Sequence, residues 1–376
     1  MTERITQYLL KKIPDTPCLV VDLDRIEKNY KRVCAALPFA KIFYAVKSNP
    51  GDAIIKRLKR LNAFFETASI YEIQKCLKLG IKPEKISFGS TIKKQVHISE
   101  AHKYGVTLFA FDSFKELEKL GEGAPGSQVY CRVLMSGKGA DWPSTGKFGC
   151  SPKYAEKLLF QAASLGLKPI GVSFHVGSQQ KDLNQWKMGI KIVSKIFERV
   201  AARGIKLSLL NLGGGFPCSY NSNVKQIEEH GALIEKSLKT YFGKIKPDVI
   251  AEPGRSISAD AGIIETEVVL ISKKSESSKM RWIFLDVGKF GGLPEASDET
   301  IQYTFRTIYD GEPTVPVVIA GPTCDDVDTL YKSAGYQLPR SIKIGDRIQI
   351  LSTGAYSASY SSVGFNGFPP LQEIFI

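Results

Sequence analysis

Six short stretches of this chain place lysine, arginine, histidine, carboxylates or glycines directly after apolar runs. Lys47 ends Ile42-Phe43-Tyr44-Ala45-Val46 and is followed by the turn residues Ser48-Asn49-Pro50. A lysine at the carboxyl end of a buried strand is either a surface lysine or a desolvated amine able to condense with a carbonyl cofactor. Glu66 and Arg132 close two further apolar runs and can form an ion pair that orients the arrangement. His175 lies between Phe174 and Val176 and is either a packed core histidine or a flat face for an aromatic cofactor. Gly213, Gly214 and Gly215 follow Leu207–Leu212. Three glycines permit a tight turn, and they also let backbone amides converge on an anion such as phosphate.

Ser178 can add a hydroxyl to that anion, and Arg255, after Glu252-Pro253-Gly254, can add a fixed cation. Glu252 ends Asp248–Ala251, where a carboxylate either pairs with a neighbouring arginine or keeps a pyridinium nitrogen protonated. Lysine, phosphate cradle, ring-nitrogen carboxylate and stacking histidine together specify pyridoxal 5′-phosphate.

Such residues need elements that aim them at one point. Apolar runs near 42–47, 63–67, 86–89, 107–112, 128–134, 170–176, 207–212 and 248–252 read as strands. Amphipathic stretches near 52–61, 69–79, 92–104, 113–120, 152–165, 183–203 and 224–242 read as the helices between them. Ser69 with Glu72 and Ser113 with Glu116 have capping-box spacing, and Gly80 and Gly166 stand at helix stops. Eight alternations predict an α/β fold, a closed (β/α)8 barrel over 22–258 whose strand ends carry the chemistry. An open doubly wound sheet would show a glycine fingerprint after its first strand, where this chain has Lys-Ser-Asn-Pro. Runs at 263–272, 280–286, 315–320, 341–351 and 371–376 predict a β-rich domain, made of 1–21 plus 259–376, with a short helical stretch near 296–306.

The composition is that of a globular chain, 43% hydrophobic and 24% charged. The +13 charge is spread over helical segments with no dense basic tract among aromatics, so no nucleic-acid partner is expected. The first 13 residues lack the apolar core of a signal peptide, and no run is long enough for a membrane span. Seven scattered cysteines with no CxxC pair argue against a disulfide framework or a metal site and for a reducing cytoplasm.

Tyr44-Ala-Val-Lys47-Ser-Asn49, Ser173-Phe-His-Val-Gly-Ser178, Gly213–Gly215, Glu252-Pro-Gly-Arg255, Gly321-Pro-Thr-Cys-Asp325 and Gly354-Ala-Tyr356 occur in one order over nearly the whole chain. In this the sequence resembles the ornithine decarboxylase group of fold-type III enzymes, which have an alanine-racemase-type barrel and a C-terminal β-rich domain. The resemblance implies that Lys47 holds pyridoxal 5′-phosphate covalently, Glu252 contacts the pyridine nitrogen and His175 stacks on the ring. It implies that Ser178, the Gly213–Gly215 turn, the Pro253-Gly254-Arg255 segment and Tyr356 hold the phosphate, and that Arg132 stands beside the lysine and carboxylate pair. The family often has aspartate where this chain has Glu66, which puts the geometry around Lys47 in question. Cys324 is implied to reach the active site of a partner subunit as a proton donor, so a homodimer is expected.

A basic amino acid substrate, ornithine first and lysine second, would place its distal ammonium near Asp325 and a second acid from 289–299. Over Lys289–Glu295 the sequence resembles bacterial ornithine and lysine/ornithine decarboxylases, and Glu295 is the candidate, with Asp298 and Glu299 competing. The expected product is a diamine of polyamine biosynthesis. Diaminopimelate decarboxylase is the rival enzyme, although its substrate ends in a carboxylate that calls for arginine rather than the acidic Cys324-Asp325-Asp326 setting. A non-catalytic regulatory homologue is the rival outside catalysis.

Overall fold

The computed structural model describes all 376 residues. The chain divides into two compact units, Asn29–Pro217 with Lys225–Gly254, and Met1–Lys28 with Cys218–Val224 and Arg255–Ile376.

The first unit holds a closed barrel of eight parallel strands, Ala40–Ala45, Phe64–Thr67, Ile86–Phe88, Leu108–Phe111, Gln128–Val133, Lys168–Phe174, Leu209–Asn211 and Asp248–Ala251. The eighth strand closes on the first, with Val249 opposite Ala40 and Ala251 opposite Ile42. Seven helices alternate with them, from Asp52–Arg60 to Ile227–Phe242. Each lies within a few residues of its expected place. Phe43, Ala110, Tyr130, Leu209 and Ile250 fill the barrel, with Phe64, Leu108 and Ile170 packed against them.

The helix caps differ in detail from the expected boxes. Ser69 accepts from Glu72 N, but the Glu72 carboxylate accepts from Ala68 N. Ser113 accepts from Glu116 N, while the Glu116 carboxylate pairs with the fully buried Lys93 at 2.9 Å. An ion pair in the interior is the stronger competitor for that carboxylate.

The second unit is a nine-stranded sheet centred on the long strand Gly262–Ser272. Cys18–Val21 pairs antiparallel with that strand and parallel with Gln372–Phe375, so both chain ends enter the sheet. Asp22 N donates to Ala261 O and Arg25 Nε to Asp260 at 3.1 Å, which ties the start of the following helix to the same unit. The unit's last segment begins at Arg255.

Two local readings change. Glu3–Lys12 is a helix capped by Thr2, and its Ile5, Tyr8 and Leu9 pack on Cys18, Val20 and Ile263. The stretch 296–306 is not an α-helix. A 3-10 turn over Pro294–Glu299 is broken by left-handed Asp298 and Glu299, at φ 52° and 56°. All seven cysteines are free thiols. No helix is long and apolar enough to cross a membrane.

Candidate active site

Side chains alternate across a strand, so residues two apart share a face. The barrel-filling layer therefore dictates the next layer out. Phe64 leads to Glu66, Tyr130 to Arg132, Leu209 to Asn211 and Ile250 to Glu252. Along the first strand the same step runs from Phe43 through Ala45, and Lys47 follows in the turn Val46–Ser48. That turn is stapled by Tyr44 OH, which donates to Asn49 O at 2.9 Å, and by Ser48 Oγ, which donates to Ala45 O at 2.9 Å.

Lys47 Nζ donates to Glu66 Oε2 at 2.6 Å. Glu66 is buried, but the Lys47 side chain is 42% exposed. The expected desolvation of the amine is thus not supplied by the protein side chains around it. The expected Glu66–Arg132 pair does not form either, because Lys47 takes that carboxylate. The Arg132 guanidinium lies 5.1 Å from the Phe148 ring centre. Burial lowers its pKa, and the charges of Glu252, Asp112 and Glu66 oppose that.

Glu252 accepts from Asn211 Nδ2 at 2.6 Å. Burial, and then the negative charge of Glu66, push its carboxyl up to about 7. His175 moves the other way, down to about 3, through burial and the positive charges of Arg132 and Lys47. Its Nδ1 accepts from Gly177 N at 3.0 Å, which places the proton of the neutral ring on Nε2. A neutral imidazole with a fixed tautomer suits a stacking surface better than an acid or base.

The glycine turn is packed too tightly for any side chain. A Cβ on Gly213, at φ 63°, would lie 2.2 Å from Phe174 O, and one on Gly215, at φ 94°, would lie 2.4 Å from Gly177 O. A Cβ on Gly214 would meet Glu252 O at 2.7 Å and approach His175 Nε2 at 3.4 Å. The turn is therefore pressed against the loop that presents His175. Ser178 begins a short strand, Ser178–Gln180, paired with Ala140–Trp142. Ala45 N donates to Pro253 O at 3.1 Å, and a Cβ on Gly254 would lie 2.7 Å from Ser48 Cβ. These contacts bring 252–254 onto the turn that carries Lys47.

In the second unit, Arg255 forms a bidentate buried pair with Glu295, both bonds at 2.6 Å, and donates to Tyr220 OH at 2.7 Å. Its guanidinium carbon lies 4.8 Å from the Tyr356 ring centre. Glu295 is 4% exposed, so its carboxylate is committed to Arg255 and is not available to a substrate ammonium. Glu299 is also engaged, accepting from Lys332 N and Ser333 N at 2.7 Å each. Exposed Cys324 and half-buried Asp325 line a groove of about 840 Å³ together with Lys289, Asp298 and Asp328. Asn366 Oδ1 holds Cys324 N at 2.8 Å, and Asp325 caps the next turn by accepting from Val327 N.

Sequence reasoning missed Asn211, which supports Glu252. It also missed Asp112, which ties Thr91 Oγ1 to Gly149 N at 2.7 Å each. Both follow barrel-filling residues by two positions, and that spacing was the available signal.

The barrel end fits pyridoxal 5′-phosphate. It offers an amine reachable from solvent, a glycine turn with no side chain to cover its amides, and a half-buried carboxylate whose raised proton affinity suits a cationic partner. A profile of the family described as pyridoxal-dependent decarboxylase, pyridoxal binding domain, matches residues 23–259, and the chain belongs to that family. The lysine/ornithine decarboxylase of Selenomonas ruminantium is 30% identical over 370 residues, covering 98% of this chain and 91% of that one. Antizyme inhibitor 2 of Xenopus laevis, named for inhibition rather than decarboxylation, is 32% identical over 364 residues, 93% of this chain and 78% of its own. The crystal structure of Paramecium bursaria Chlorella virus arginine decarboxylase bound to agmatine superposes with a TM-score of 0.91 at 27% identity, covering all of both chains. The fold is the alanine-racemase-type barrel with a separate β-rich domain, and the chain is a pyridoxal 5′-phosphate-dependent decarboxylase of basic amino acids.

Proposed function

We propose that this chain converts L-ornithine to putrescine, and also lysine to cadaverine, for polyamine biosynthesis. Bound pyridoxal 5′-phosphate supplies the electron sink that lets carbon dioxide leave an amino acid. The remaining work falls to the side chains. Lys47 carries the covalent attachment, and Glu66, at 2.6 Å, orients its amine and exchanges a proton with it. Glu252 holds positive charge on the pyridine nitrogen and neutral His175 offers its face to the ring, while Ser178 and the glycine turn take the phosphate through the Gly214 and Gly215 amides, Gly213 N being held by Asn211. From the resemblance we carry over a phosphate role for Arg255 and Tyr356, a role for Arg132 beside the lysine and carboxylate pair, and Cys324 as proton donor from a partner subunit in a homodimer.

The observation that carries the substrate class is the groove at Cys324, which sets five carboxylates, Asp298, Glu299, Asp325, Asp326 and Asp328, against three lysines, Lys274, Lys289 and Lys332, and has no arginine. Such a lining favours a distal ammonium over the distal carboxylate of diaminopimelate. With Glu295 and Glu299 engaged, Asp298 joins Asp325 as the pair for that ammonium. One methylene separates ornithine from lysine, worth only about 1–3 kcal/mol of discrimination, so both are accepted. The test is carbon dioxide release from ornithine, lysine, arginine and diaminopimelate by the purified holoenzyme. Ornithine should give the highest kcat/KM, and a higher value for arginine or diaminopimelate would overturn the assignment.

A further inference from the structure

Asn211 ends the seventh barrel strand and is 1% exposed. Its Oδ1 accepts from Gly213 N at 2.8 Å, and a backbone N–H can only donate. That bond settles which end of the amide is which. The Nδ2 is therefore turned to Glu252 Oε1, 2.6 Å away. Glu252 N in turn donates to Gly213 O at 2.8 Å. Three hydrogen bonds thus close a ring through Gly213, Asn211 and Glu252, joining the first glycine of the cradle to the carboxylate of the eighth strand.

We propose that Asn211 is a positioning residue that locks Glu252 to the glycine cradle and, as an obligate amide donor there, keeps Glu252 an anion and hydrogen-bond acceptor. This rests on the reading of Glu252 as the partner of the cofactor's ring nitrogen. Lys47 and Arg132 share the work of holding the charge, while Glu66 and burial among groups such as Tyr130 oppose it. Asn211 also grips the backbone that forms the cradle. An aspartate at 211 would keep the acceptor for Gly213 N but set a second carboxyl against Glu252 Oε1. The two would then have to share a proton.

The test compares N211D, E252Q and the double variant N211D/E252Q with the unmodified protein. The readouts are the Kd for pyridoxal 5′-phosphate, the pH dependence of the bound cofactor's visible absorbance, and thermal stability of the apoprotein. In N211D the Kd should rise about tenfold or more, the size of one charge-assisted hydrogen bond, and the absorbance transition should move by about a unit or more. The double variant reverses donor and acceptor, so it should recover apoprotein stability without recovering the Kd. N211D with unchanged Kd and pH profile, beside an E252Q that loses both, would overturn this inference alone. An E252Q that behaves like the unmodified protein would instead overturn the reading of Glu252. Should N211D not fold, N211S serves as the second variant. Its smaller hydroxyl leaves no carboxyl against Glu252 and should weaken cofactor binding without the upward pH shift, whereas unchanged binding would refute the proposal.

Discussion

Glu295→Gln separates a structural carboxylate from a substrate contact. In the native chain Glu295 and Arg255 are 4% exposed each and share two bonds of 2.6 Å. A glutamine offers one acceptor and one donor to a guanidinium that has donors only. One of the two bonds is lost, an N–H group is set against another, and the Arg255 charge stays buried without its counter-ion. Charge-assisted bonds contribute about 1.5–3 kcal/mol each. Removing one partner of a buried pair costs about 3–5 kcal/mol, which is the expected loss. At about 2 °C per kcal/mol for a large domain, the Tm should fall roughly 6–10 °C, read by circular dichroism and urea unfolding of the apoprotein. Glu295→Asp, which keeps the charge but shortens the reach, should fall by less. A variant with unchanged Tm and a raised KM for ornithine would refute this reasoning and return Glu295 to the substrate.

Lys47→Ala should abolish turnover and the visible absorbance of bound cofactor, and should also lower apoprotein stability because it leaves buried Glu66 without its partner at 2.6 Å; retained turnover would refute its role. Gly215→Ala meets a carbonyl oxygen at 2.4 Å from a backbone at φ 94°, so phosphate-dependent cofactor binding should fail; normal binding would show that the turn has room. His175, with its pKa depressed to about 3 in the fold, binds a proton less readily than its unfolded form, so it contributes stability above pH 6.5 that is lost as pH falls toward 3. His175→Asn should flatten the acid limb by up to about 1.4 kcal/mol per pH unit, and equal slopes in urea titrations at pH 4–6.5 would contradict this. Asp298→Asn should raise the KM for ornithine by roughly tenfold or more with little change in Tm, one charge-assisted contact being lost from an exposed site. An unchanged KM would remove Asp298 from the substrate.

The barrel was legible because each of its elements carries a short-range signature. Apolar runs mark the strands, and Gly80 and Gly166, both left-handed, mark helix stops. The site's barrel residues were legible for the same reason, since they end those runs. What the sequence concealed was choice among partners. Glu66 had two cations to take and took Lys47; Glu116 left its cap for Lys93; Glu295 went to an arginine forty residues away. No local pattern encodes which of several carboxylates a buried cation will claim, because burial of the pair decides it. The helix Glu3–Lys12 was hidden differently. Its Ile5, Tyr8 and Leu9 have the right spacing, but only the Cys18–Val21 strand gives that stripe something to cover.

The barrel end combines two titrations of opposite sign. Glu252, raised to about 7 chiefly by burial and then by Glu66, favours the folded apoprotein at low pH and weakens it as pH rises from 4.5 through 7. His175 favours the folded state at high pH and weakens it as pH falls. Lys47 and Arg132 restrain the first shift and enlarge the second, so a single pair of cations acts on both beneath the larger effect of burial. A ligand that brings positive charge to Glu252 and a flat ring to neutral His175 relieves the carboxylate without asking the histidine to ionise. Apoprotein stability at pH 8 should therefore rise in Glu252→Gln, because an uncharged side chain there no longer suffers burial, even though cofactor binding falls. Loss of stability at pH 8 together with loss of binding would show that the carboxylate already has its partner within the barrel, and that the strain argued from its proton affinity does not exist.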